Sequence, residues 1–272
     1  MVHSLLRFGL HDFLNAQPLR VPLAGKGEQA GLELVTDVPS ALAEKLESGQ
    51  LDLAMIPAIE YLHRADAYRL LPGISIASRG EVNTVLLVTK VPLSNIHSLA
   101  VDSRSRTSAA LLKLLFADEF PPDVAFRLAP PDLESMLQHH DAALIIGDQA
   151  FRVRDSLTGV AVFDLSAEWF QRTGKTFVHA VIAVRQNVAV DPGTVAAIRQ
   201  FKREGVERID AIAAAYADRN GLEKKMCEDY LKRKIVYDLG EKEQQGLLHF
   251  RDLCHLRGLL PQKFPLRWVD EE

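Results

Sequence analysis

The stretch PSALAEKLESGQLDLAMIPA, residues 39–58, reads as a helix that stops and a buried strand that starts. Ser40 stands where a hydroxyl can cap the helix, Leu42 and Leu46 fall on one face, and Gly49 suits the left-handed position that ends it. The apolar run that follows closes at Pro57. The construction returns in PDLESMLQHHDAALIIGDQAF, residues 131–151, with Asp132 as cap, Leu133, Met136 and Leu137 as the stripe, and AALIIG as the strand. Asp141 takes the place of Asp52. One such unit in each half of the chain predicts an α/β protein of two similar lobes; the likeness is too faint for a repeat array.

Outward from these units, ISIASRGEVNTVLLVTK (74–90) offers two apolar runs around Arg79, Gly80 and Glu81. SLAVDSRSRTSAALLKLLFADEF (98–120) reads as strand, polar turn and helix. The apolar passages NTVLLVTK (83–90) and TFVHAVIAVR (176–185) are natural places for the chain to leave one lobe and return. Residues 1–84 with 186–272 are therefore expected to form the first lobe and 85–185 the second, with a ligand cleft between them. The segments 191–221 and 241–260 carry apolar residues at helical steps, punctuated by Asp191, Pro192 and Gly221. They are expected to pack on the first lobe and to take little part in chemistry.

With 272 residues, 47% hydrophobic and 25% charged, the chain can bury one large core or two smaller ones. A formal net charge of -4 argues against a broad nucleic-acid-binding face. No apolar run reaches the ~20 residues of a membrane span. MVHSLLRFGLHDF lacks a basic segment leading into a long apolar one, so the expected setting is the cytoplasm, with neither membrane nor nucleic acid as partner. Cys227 and Cys254, without CxxC spacing, are expected to be reduced structural thiols.

RFGLHDFLNAQPLRVPL, residues 7–23, opens as a strand and then crowds His11, Asp12, Asn15 and Gln17 against Phe13 and Leu14 before Pro18. That is more polarity than a plain turn uses. In DSRSRTSAALLKLLF, residues 102–116, Ser103, Ser105, Thr107 and Ser108 surround a helix start, with Arg104 and Arg106 adding charge. Free backbone N–H groups and the positive end of the helix dipole favour an anion there, a carboxylate or a phosphate. A cap alone accounts for one of the four hydroxyls. In SRGEVNT, residues 78–84, Ser78, Asn83 and Thr84 can bond a ligand, while Arg79 and Glu81 suit a solvent pair. Gly147 and Asp148 stand at the carboxyl end of a buried strand, where open α/β sheets bind ligands, and Asp148 either faces the cleft or caps the next turn. His11 and His179 fall near the expected cleft. No zinc-type spacing, GxSxG, Walker A or GxGxxG pattern is present in the sequence.

The segments FLNAQPL, LDLAMIPAIEYL, SRGEVNTVLLVTK, DSRSRTSAALLKLLF, LIIGDQAF and EWFQRTGKTFVHAV, in this order, resemble the chorismate dehydratase family of the futalosine route to menaquinone. The resemblance covers roughly residues 5–185 closely and the helical tail loosely. It implies a type II periplasmic-binding-protein-like fold without export, loss of water from chorismate to give 3-(1-carboxyvinyloxy)benzoate, and no cofactor or metal. It matches Asn15 to the family's asparagine, Ser105, Arg106, Thr107 and Ser108 to its anion turn, and Gly147 and Asp148 to its IGD. Thr84-Val85 stands where serine-valine is expected, and Lys175-Thr176-Phe177 where Leu-Pro-Phe is expected. Asn15, Thr84 and Asp148 become the catalytic candidates; Ser105, Arg106, Thr107, Ser108, Gly147 and His179 are expected against the dicarboxylate substrate. The base is either Asp148 or the substrate's own enolpyruvyl carboxylate. The rival readings are the 1,4-dihydroxy-6-naphthoate synthase of the same pathway and a non-catalytic small-anion binding protein.

Overall fold

Residues 5–154 and 158–269 are described by the computed structural model; residues 1–4, 155–157 and 270–272, which fall within the expected lobes, lie outside the described residues. The first lobe opens with β1 (Leu6–Leu10), α1 (Gln17–Lys26), β2 (Leu32–Thr36), α2 (Pro39–Glu47), β3 (Leu53–Pro57), α3 (Ala58–His63) and β4 (Tyr68–Ser78). Across residues 79–84 the chain enters β5 (Val85–Thr89), β6 (Ser98–Asp102), α4 (Thr107–Phe116), β7 (Ala125–Ala129), α5 (Leu133–His139), β8 (Ala142–Ile146), α6 (Asp148–Arg154), β9 (Ala161–Asp164) and α7 (Leu165–Thr173). It comes back through β10 (Phe177–Arg185) and ends in α8 (Pro192–Glu207), α9 (Ile209–Asn220), α10 (Lys224–Asp229) and α11 (Glu241–Leu256).

The strands form two five-stranded sheets in the orders β2-β1-β3-β10-β4 and β7-β6-β8-β5-β9. Each sheet is built alike, with parallel pairs on either side of one strand, β1 or β6, and one strand, β10 or β5, running antiparallel to its neighbours. Those two antiparallel strands adjoin the crossings. β10, expected at the end of the second lobe, pairs with β3 and β4 in the first sheet, so the return crossing precedes it. All residues of β3 and β5 are buried, as strands covered on both faces by helices require.

The repeated helix–strand unit keeps its local roles. Gly49 is left-handed at φ 79° after α2, and the Asp132 carboxylate accepts from the Ser135 N–H at 3.2 Å at the start of α5. Ser40 does not cap α2: Val38 holds that position without a side-chain bond, and Pro39 opens the helix with no N–H to satisfy. The paired aspartates do equivalent work. Asp52, before β3, accepts from the Arg7 N–H of β1 at 2.8 Å, and Asp141, before β8, accepts from the Ser98 N–H of β6 at 2.9 Å. The C-terminal helices are pressed close. A Cβ at Gly205 would lie 1.5 Å from the Pro18 carbonyl oxygen, and one at Gly246 would lie 2.0 Å from that of Thr176.

Candidate active site

The carboxyl ends of β1, β3, β6 and β8 face a cleft of about 600 Å³, its mouth included, into which both lobes send side chains. The second lobe supplies the turn between β6 and α4. No side chain caps α4, and the Ser105 hydroxyl just before it is buried with no hydrogen-bond partner among the described residues. The Thr107 hydroxyl is engaged, accepting from the Ile59 N–H of the first lobe at 3.3 Å. Both arginines of the turn are neutralised. Arg104 grips Asp102 at 2.6 Å and lies over the Phe13 ring, 5.3 Å from its centroid; Arg106 reaches across to Glu60 at 3.3 Å and to Glu44. What faces an anion is the Ser105 hydroxyl, the Ser108 side chain that lines the cleft beside it, and the backbone N–H groups that begin α4.

The opposite wall grows from the polar stretch that follows β1. Asn15, in a single tight turn at Leu14–Ala16, donates from Nδ2 to the Tyr230 hydroxyl at 3.2 Å, and that hydroxyl also lies 3.0 Å from Thr84 Oγ1. Asn15 Oδ1 is buried without a partner among the described residues. Gly147 has φ 69°, and a Cβ there would come 3.3 Å from the Phe13 ring, so the glycine both turns the chain after β8 and admits Phe13. His11, 3% exposed, accepts at Nδ1 from the Phe13 N–H at 3.4 Å; burial pushes its pKa down to about 4 against the pull of Asp12. His179 Nε2 lies 2.8 Å from Ser78 Oγ and 3.3 Å from Ser166 Oγ, and burial takes it down to about 4 as well. Both imidazoles are neutral at physiological pH.

Ser105, Arg106, Thr107, Ser108, Asn15, Thr84, Gly147 and His179 thus line one cleft. Asp148 stands behind it, at the start of α6. Its carboxylate accepts from the Leu14 N–H at 3.3 Å and from the Tyr216 hydroxyl, and burial raises its pKa while those donors and Arg104 oppose the rise. Asn83 is left-handed at φ 62° and turned from the cleft: its N–H and that of Val82 donate to Asp164 at 2.6 and 2.9 Å. Asp164 in turn caps α7 through the N–H groups of Ser166 and Ala167, so one carboxylate secures the crossing at residues 79–84. Tyr216 and Tyr230 come from the tail that the sequence assigned to packing alone. Neither has a motif around it; the only trace is an aromatic set among charges in CEDYLKRK.

Residues 6–256 match a family described as menaquinone biosynthesis. A chorismate dehydratase of Thermus thermophilus is 33% identical, covering 91% of this chain and 94% of its own. A chorismate dehydratase of Campylobacter jejuni is 27% identical, covering 91% of this chain and 96% of its own. Among solved structures, a protein from Archaeoglobus fulgidus superposes with a TM-score of 0.78 at 20% identity, covering 96% of this chain and all of the other. The periplasmic aliphatic sulphonate binding protein SsuA of Escherichia coli superposes at 0.62 and 16% identity, over 99% of this chain and 94% of its own. Two sheets with a cleft between them, in a chain that superposes along nearly its whole length on SsuA, are the type II periplasmic-binding-protein-like fold. With that fold, a match over residues 6–256 and a 33% identical relative covered almost end to end, the chain belongs to the menaquinone biosynthesis family.

Proposed function

We propose that this protein is a chorismate dehydratase, a hydro-lyase that removes water from chorismate to give 3-(1-carboxyvinyloxy)benzoate on the futalosine route to menaquinone, in the cytoplasm. The observation that carries the reading is the pairing of an anion site with a polar triad across one cleft. The uncapped start of α4 with its buried Ser105 hydroxyl suits a carboxylate, and Asn15, Thr84 and Tyr230 face a group that both donates and accepts hydrogen bonds.

The reaction removes the hydrogen on ring C3 and the hydroxyl on C4, and the ring becomes aromatic. No electrons enter or leave, so the balance needs no redox cofactor. As the C3–H bond breaks, its electrons spread through the adjacent double bond onto the ring carboxylate, and N–H donors fixed at that carboxylate stabilise the charge as it forms. The C4–O bond then breaks, and the departing oxygen takes up the proton released from C3. Among the described residues that line the cleft none is a carboxylate, and both histidines are neutral. This supports the substrate's enolpyruvyl carboxylate as the base, with the cleft holding it in reach of C3. Asp148, its oxygens taken by Leu14 and Tyr216, acts on the wall and not on the ring. Purified protein incubated with chorismate should form the aromatic enol ether, one water lighter, in step with chorismate loss. Chorismate left unchanged would refute the assignment and favour a binding protein for a small anion.

A further inference from the structure

Tyr230 is 2% exposed and sits in a short π-helical turn, Tyr230–Lys234, with its ring packed edge-on against Phe151 at 4.9 Å. Burial raises its pKa, so the phenol keeps its proton through the physiological range. A buried phenol has one proton to give and must find an acceptor for it. Among the described residues its hydroxyl meets two side chains, Asn15 and Thr84. Asn15 Nδ2 cannot accept; the proton of Tyr230 therefore goes to Thr84 Oγ1. Three consequences follow from this count. Tyr230 oxygen accepts from Asn15, the Asn15 amide is fixed with its oxygen free, and Thr84, its oxygen already receiving a proton, has its own hydroxyl proton to direct elsewhere. The free Asn15 Oδ1 is the buried acceptor that has no partner among the described residues.

We infer that Tyr230 is a positioning residue that couples the two ends of this chain, so that an Asn15 offering an acceptor to the leaving hydroxyl of the substrate comes with a Thr84 offering it a donor. The inference rests on the dehydratase reading. In the step concerned, the C4 hydroxyl gives its hydrogen bond to Asn15 Oδ1 and receives one from Thr84 Oγ; as the C4–O bond breaks, the Thr84 bond shortens toward the oxygen that is gaining charge. Tyr230, which also lines the cleft, acts on the leaving group through the two side chains its hydroxyl bonds. Its function is to tie the two orientations together, so that Asn15 and Thr84 never present two donors or two acceptors at once.

The test is a kinetic cycle of wild type, Tyr230→Phe, Asn15→Ala and the double variant, with chorismate. Tyr230→Phe should lower kcat roughly ten- to a hundredfold, within the range of a lost transition-state hydrogen-bond contribution, while KM changes by less than about threefold. Added to Asn15→Ala, it should lower kcat no further than about twofold, because the residue it orients is gone. An unimpaired Tyr230→Phe, or effects that multiply in the double variant, would overturn the inference. Should Tyr230→Phe fail to fold, Thr84→Ser and Thr84→Val decide: the serine keeps the relay and should keep turnover, the valine should lose it, and equal turnover in both overturns the proposal. Wild-type turnover is the control. Its absence overturns the dehydratase reading and the inference with it, whereas wild-type turnover beside an unimpaired Tyr230→Phe overturns the inference alone.

Discussion

Ser105 and Thr107 stand two residues apart on one turn, yet their hydroxyls answer to different partners. Ser105 has none among the described residues, so Ser105→Ala should leave the melting temperature near wild type. It should weaken binding of a substrate carboxylate by roughly ten- to a hundredfold, the loss of one hydrogen bond to a charged group. Thr107→Val instead strands the buried Ile59 N–H and should lower stability by about 1–3 kcal/mol. Thermal melts and calorimetric titration with chorismate on an Asn15→Ala background separate the two. Asn15→Asp would turn the bond to Tyr230 around, since a carboxylate can only accept, and should lose most turnover; full activity would return Asn15 to a local turn role. His11 makes a prediction with a sign. Its folded pKa of about 4 lies below the ordinary 6.5, so the unfolded state binds the extra proton between those values. Relative to His11→Asn, the wild type should lose stability as pH falls from about 6.5 to about 4, by up to about 1.4 kcal/mol per pH unit, read from denaturant titrations. Ser105 and Asn15 were legible because short polar side chains at strand ends have few structural uses. Tyr230 was not, because an aromatic residue on a helical stretch looks the same whether it fills a core or bonds across a cleft.

At the scale of elements, the repeated helix–strand unit carried most of the fold. Its glycine, its Asp132 cap and its paired aspartates keep their roles because each is set by bonds within a few residues or to the neighbouring strand. The placement of β10 was not legible. A run buried on both faces has no alternation to say which sheet it joins, and its pairing with β3 and β4 is a long-range choice. Gly147 is the element-scale test. An alanine there must hold φ near 69° and press on the Phe13 ring, so Gly147→Ala should cost about 1–2 kcal/mol in chemical denaturation. It should also raise KM, since Phe13 lines the cleft with it. Gly205→Ala, which meets backbone at α1 with no flexible atom to yield, should cost about 3 kcal/mol or more in the same measurement.

Across the whole molecule, side chains of the second lobe bond the first around the cleft. Arg106 of the second lobe holds Glu44 and Glu60 of the first, Thr107 takes the Ile59 N–H, and Asp148 is shared between Leu14 and Tyr216. None of these contacts needs a ligand. The exposed ion pairs among them contribute little each, about 0–1 kcal/mol, whereas the buried Asp148 bonds contribute more and sit closest to the polar wall. These bonds should hold the cleft shut without a ligand, and its traffic with solvent should then be governed by how often the lobes part. Stopped-flow mixing with chorismate should give an observed binding rate that rises with concentration and levels off at the frequency of opening, instead of climbing in proportion as a simple encounter would. Tyr216→Phe, which removes one bond to Asp148 without touching the cleft lining, should lift that plateau. The carboxylate that looked from sequence like a candidate base would then matter through time, as the group that decides how long each molecule of substrate waits outside and how long each product stays in.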